Sequence, residues 1–158
     1  MRIIIFHLLV FICINSEAQY NNDIAVEIEF TNVMTGAKAK YKYAGNRLKV
    51  YKSKEGNTFR LIASKRIKSN GNELITDKAN QLLEAYNNTS ANFNSGMLDG
   101  FAWDITIKTE SETVEYKIEN CYNKYIDNII SVMNKKLKRK RLIIETGLMY
   151  STTNQPCE

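Results

Sequence analysis

Apolar and polar residues alternate with a period of two over residues 24–31, where Ile24, Val26, Ile28 and Phe30 take one side and Ala25, Glu27, Glu29 and Thr31 the other. That period belongs to a strand with one wet face. The following run, KAKYKYAGNRLKVYK, alternates in the same way on both sides of Gly45-Asn46, a dipeptide that makes a two-residue hairpin turn with glycine at the first central position. Such a turn sets Tyr43 opposite Leu48 and Tyr41 opposite Val50. A further strand, TFRLIASKRI, is expected after a turn at Glu55-Gly56. The period then changes. From Thr76, read as an N-cap, the residues Ala79, Leu82, Leu83 and Tyr86 keep helical spacing as far as Asn87-Asn88. Residues 88–100, rich in Asn, Ser and Gly, read as a loop.

The second half repeats the pattern. Phe101, Trp103, Ile105 and Ile107 alternate with polar or small residues, and after a turn near Glu110-Ser111-Glu112 so do Val114, Tyr116 and Ile118. Beyond Asn120, the residues Tyr122, Tyr125, Ile126, Ile129, Ile130, Met133 and Leu137 fall on one side of a helix. Leu142-Ile143-Ile144 reads as a return to strand. The predicted fold is therefore α+β: an antiparallel sheet of six or seven strands with one short and one long C-terminal helix packed on it. With no Pro-rich or Gly/Ser-rich linker and no internal repeat, a single domain is expected over 19–158.

The segment before it has a different design. Arg2, an apolar run from Ile3 to Ile14 broken only by His7, and Ser16-Glu17-Ala18 match a secretory signal cleaved after Ala18. The run is shorter than the roughly 20 residues a membrane-spanning helix needs. Lipidation of Cys13 is disfavoured, because Ile12 before it is not small. The expected location is thus periplasmic or secreted. Cleavage also removes the one histidine, His7, and leaves two cysteines, Cys121 and Cys157, whose pairing as a disulfide suits an exported chain.

Charge changes this picture. The chain carries 22 Lys and Arg against 17 Asp and Glu, a net charge of +5, and it keeps that balance when Arg2 and Glu17 leave together. In the hairpin register, Lys38, Lys40, Lys42, Arg47 and Lys49 share the face away from Tyr41 and Tyr43, with Tyr51 among them as a ring for stacking. Lys42 and Lys49 then stand directly opposite each other, an arrangement that destabilises a sheet. Either Glu27 and Glu29 neutralise the row, or the row is used to hold an anion. A second basic run, KKLKRKR at 135–141, puts Lys135, Lys138 and Arg139 on the solvent side of the last helix, where cations also complement the helix C-terminus. Acidic proteins, acidic polysaccharide and lipid head groups are the partners such surfaces suit outside a cell.

The chemistry on offer is narrow. Without histidine, the common nucleophile–base pairs and His/Cys zinc sites have no members in 19–158, and no P-loop, G-x-G-x-x-G or EF-hand loop is present. No metal or cofactor is therefore expected. Asp99 and Asp104 are the one carboxylate pair near a strand start, with Asp99-Gly100 reading equally as a turn. Three functions remain: an exported, non-catalytic binding or inhibitory module with an acidic partner, a histidine-free carboxylate hydrolase, or a structural subunit of a cell-envelope assembly.

Overall fold

The computed structural model describes residues 24–33, 35–53, 58–94 and 100–137. The leader, the turn at 55–56 and the strand expected at 142–144 lie outside the described residues. In chain order come β1 (Ala25–Asn32), β2 (Lys38–Ala44), β3 (Arg47–Ser53), β4 (Arg60–Arg66), α1 (Ser69–Ala85), β5 (Ala91–Asn94), β6 (Phe101–Lys108), β7 (Thr113–Glu119) and α2 (Lys124–Leu137). The strands form a seven-stranded sheet in the order β4-β3-β2-β1-β6-β7-β5, antiparallel except for the parallel pair β5 and β7. This is the α+β arrangement expected from the hydrophobic pattern, with both helices on one face.

Register explains why one face is buried. Val26 pairs with Tyr43 and Ile107, Ile28 with Tyr41 and Ile105, and Phe30 with Ala39 and Trp103. Tyr43 and Tyr41 continue to Leu48 and Val50, while Ile107, Ile105 and Trp103 continue to Val114, Tyr116 and Ile118. All the apolar positions of the two-residue repeat thus reach the same side, and α1 and α2 cover them with Ile75, Ala79, Leu82, Leu83, Ile126, Ile129, Ile130 and Met133. Trp103, the largest of the fully buried side chains, sits against Phe30 at 4.7 Å between ring centres.

The β2–β3 hairpin has the expected pairing but a different turn. Both Gly45 and Asn46 have positive φ, 50° and 60°, which is the type I′ pattern and follows the strand twist. The first helix also departs from expectation. It starts at Ser69 rather than at Thr76, and runs for 17 residues. Its first turns are built from poor helix formers, and tertiary contact overrides them: Gly71 lies so close to its neighbours that a Cβ there would come within 2.6 Å of Ile67 Cγ2, just before the helix, and 2.9 Å of Lys136 Cε of α2. Thr76 is consequently a mid-helix residue beside the Tyr43 phenol, and burial raises the pKa of that phenol while the Thr76 hydroxyl offsets part of the rise. At the other end, Asn87 and Asn88 terminate α1 with positive φ; their amides donate to the Glu84 and Leu83 carbonyls in a Schellman motif.

The segment read as a loop contains β5. Only Phe93 of this four-residue strand is buried, and its place is fixed by neighbours: Ser90 Oγ accepts from the Glu115 N–H at 2.9 Å, and Asn94 Nδ2 donates to Glu119 Oε2 at 2.7 Å. α2 begins at Lys124, so Tyr122, which the helical spacing had included, stands before the helix. Asn123 caps it, with Oδ1 accepting from the N–H groups of Tyr125 and Ile126 at 3.1 and 3.3 Å, and its Nδ2 donates to the Tyr86 hydroxyl at 2.8 Å. At its far end, Lys65 of β4 donates to the Lys136 carbonyl and places a cation at the negative end of the helix.

Candidate functional site

Because the helices cover one face only, the residues between the apolar positions stand together on the other. Register arranges them in rows across the strands. One row runs Glu27, Lys42, Lys49 and Ser64; the next runs Glu29, Lys40, Tyr51 and Leu61. Lys38 lies beside Thr31 and Ser53, and at the hairpin end Arg47 faces Arg66. The predicted cations Lys38, Lys40, Lys42 and Lys49, with Tyr51, are therefore brought to one surface.

Glu27 and Glu29 hold the part of this row nearest β1. Lys40 Nζ lies 3.0 Å from Glu27 and 2.8 Å from Glu29, Lys42 lies 2.7 Å from Glu27, and Lys38 lies 3.7 Å from Glu29. Burial alone would raise the Glu27 pKa, but the hydrogen bonds and charges of Lys42 and Lys40 outweigh it and hold the carboxyl below its ordinary value. Burial disfavours the charged form of Lys40, and its two carboxylate partners reverse this and raise its pKa. Lys40 also lies 4.6 Å from the centre of the Phe59 ring.

The outer half differs. Lys49, Arg47 and Arg66 are exposed, and no carboxylate among the described residues is within ion-pair distance of any of them. Arg47 Nη1 donates to Ser64 Oγ at 3.2 Å. Two like-charge cross-strand pairs, Lys42 with Lys49 and Arg47 with Arg66, thus adjoin each other. The first pair was legible from the Gly45-Asn46 turn. Arg66 was not, since β4 is joined to β3 by a longer connection and its register shifts between Val50 and Tyr51.

Across β1 the sign of the surface changes. Asp104 pairs with Glu29 and Lys117, and Thr106 with Glu27 and Glu115. Asp104, Thr106, Glu115 and Lys117, with Ser90 and Asn92, line a shallow hollow of about 470 Å³. Burial raises the Asp104 pKa; Lys117 opposes this, while Glu29 and Glu119 add to it. Its expected companion Asp99 lies outside the described residues. Among the described residues there is no cluster of three or more His, Cys, Asp or Glu placed to hold a metal ion.

The second basic group is not part of this face. Lys135 is exposed on α2, on the opposite side of the sheet, and Lys138 and Arg139 lie outside the described residues. Cys121 is buried just after β7, and Cys157 lies outside the described residues. No helix among the described residues is long and apolar enough to cross a membrane. The sequence matches no known family model, and no curated protein is similar to it.

Proposed function

We propose that the chain is an exported, non-catalytic binding module that meets an acidic partner through the β3–β4 half of its open sheet face. The observation that carries this reading is the pair of adjoining like-charge contacts, Lys42 with Lys49 and Arg47 with Arg66, of which Lys42 alone has a carboxylate partner among the described residues, Glu27. Each such contact costs a sheet on the order of 0.2–1 kcal/mol, a cost that a partner's carboxylates, sulfates or phosphates remove on binding. Lys38 and Lys40 then serve to hold the face together rather than to bind, since their charges are already matched. In this reading the leader before Gln19 directs export, and Cys121 pairs with Cys157 to tie down the C-terminal segment.

Retention on a heparin column under a salt gradient tests the reading. The protein is expected to elute well above physiological salt, and Arg47→Glu/Lys49→Glu/Arg66→Glu to elute much earlier, whereas Lys135→Glu leaves retention nearly unchanged. Equal elution of all three proteins would show that this face is not the contact.

A further inference from the structure

We infer that the acidic partner is an extended peptide segment, and that it binds by adding a strand to the sheet along β4. This rests on the reading of the β3–β4 half as the contact surface.

Among the described residues β4 is one of the two edges of the sheet, so every second N–H and C=O along it points away from β3 with no described strand beyond. The other edge, β5, has four residues; β4 has seven, which at about 3.3 Å per residue gives a ledge of roughly 20 Å. Leu61 and Ile62, consecutive residues at the register shift, are 49% and 40% exposed on this ledge. Leu61 lies next to Tyr51 on the open face.

Charge selects the occupant. The β4 sequence, RLIASKR, contains no acid, and Arg60 and Arg66 are exposed at its two ends. A second copy pairing antiparallel about Ala63 would set Arg60 against Arg66 at both ends, so self-association is opposed. An acidic segment meets the reverse situation. A carboxylate opposite Arg66 matches the Arg47–Arg66 pair, and one opposite Ser64 approaches Lys49 with only that short side chain between them. The apolar residues that alternate with these carboxylates fall on the other face, beside Lys65 and Ala63. The occupant is therefore an extended stretch alternating carboxylates with β-branched or other apolar residues, held by main-chain hydrogen bonds and placed by charge.

Fluorescence anisotropy with labelled peptides tests this on the full protein. The probes are an eight-residue peptide alternating Glu and Val, the same peptide N-methylated at alternate residues on one edge or on the other, and a Lys/Val counterpart. The Glu/Val peptide is expected to bind and to slow amide exchange in β4. Methylation of the pairing edge is expected to weaken it by about tenfold or more, as several backbone hydrogen bonds are lost, and the Lys/Val peptide not to bind. Methylation of the opposite edge should be tolerated. Equal binding of both methylated forms overturns strand addition and leaves a purely electrostatic contact with the face. Absence of Glu/Val binding while heparin retention depends on Arg47, Lys49 and Arg66 overturns it too. Loss of that dependence removes the underlying reading instead.

Discussion

Two carboxylates on the same sheet face respond to acid in opposite senses, because their neighbours differ. The Glu27 carboxyl is held below its ordinary 4.5 by Lys42 and Lys40, so its ionised form stabilises the fold above that pH, and the contribution is lost as pH falls through the folded-state value. Glu27→Gln should lower stability at pH 7, with the deficit shrinking below pH 4.5 in urea titrations. Asp104 is raised above 3.8 by burial and by Glu29 and Glu119, so folding disfavours its charge. Asp104→Asn should therefore be more stable than the native protein at pH 7, and that advantage should vanish as pH falls toward 3.8. Gly100 is a third residue with a defined role. Its φ is +143°, its carbonyl accepts the Val33 N–H at 3.0 Å, and a Cβ there would collide with Asn120 Oδ1, which accepts the Phe101 N–H at 2.9 Å. Gly100→Ala should cost about 2 kcal/mol or more in thermal or urea unfolding. The Gly45-Asn46 turn made legible which cations share a face, and left open whether Glu27 and Glu29 neutralise them; the Glu27–Lys42 contact depends on the pairing of β1 with β2. Gly100 was legible only as a turn residue, since the demand on it comes from Asn120, twenty positions away.

At the scale of elements, the contrast between the two helix starts shows what local sequence can and cannot specify. α2 was readable because spacing and burial agree: Ile126, Ile129, Ile130 and Met133 form the buried stripe, and the structure adds Asn123 as its cap. Asn123→Ala should destabilise by about 1–2 kcal/mol, with both the cap and the Tyr86 hydroxyl losing a partner. α1 begins in SNGNELI, a stretch of weak helix formers with Lys68 at the N-cap and no side-chain cap bond. The four-residue spacing from Gly71 to Ile75 to Ala79 was present, but glycine carries no hydrophobic signal, and its burial depends on Lys136 of another helix. An acceptor at the cap is missing there, so Lys68→Asp should raise stability by about 1 kcal/mol in the same unfolding experiment. β5 was hidden for a related reason. Two of its four residues are asparagine, and its strand conformation is imposed by parallel pairing with β7 rather than by propensity.

The whole molecule is a sheet with a dry side and a wet side, and this one-sidedness followed from the period-two pattern. The order of the strands did not. Hairpins β2–β3 and β6–β7 are local and were expected, whereas the pairing of β1 with β6 joins distant parts of the chain, and alternation alone does not say which strand meets which. The same gap separated the two basic groups: Lys49 and Lys135 are both exposed, but only tertiary structure places Lys135 across the sheet from Lys42 and Lys49, and Lys138 and Arg139 lie outside the described residues. The strand order also sets where the fold opens. β1 is flanked on both sides and carries the fully buried Val26 and Ile28, so exposing its amides requires separating the helices from the sheet. β4 contributes only the half-buried Ala63 and Lys65 to the dry side, and can leave the edge without disturbing Trp103, Ile105 or Ile107. Amide exchange should therefore be slowest at Val26, Ile28 and Ile105, and faster by about a hundredfold or more at residues 61–64 and 91–94. Equal protection of β1 and β4 would contradict this, because an edge that opens only with global unfolding would not be free to exchange its outer neighbour for a partner's strand.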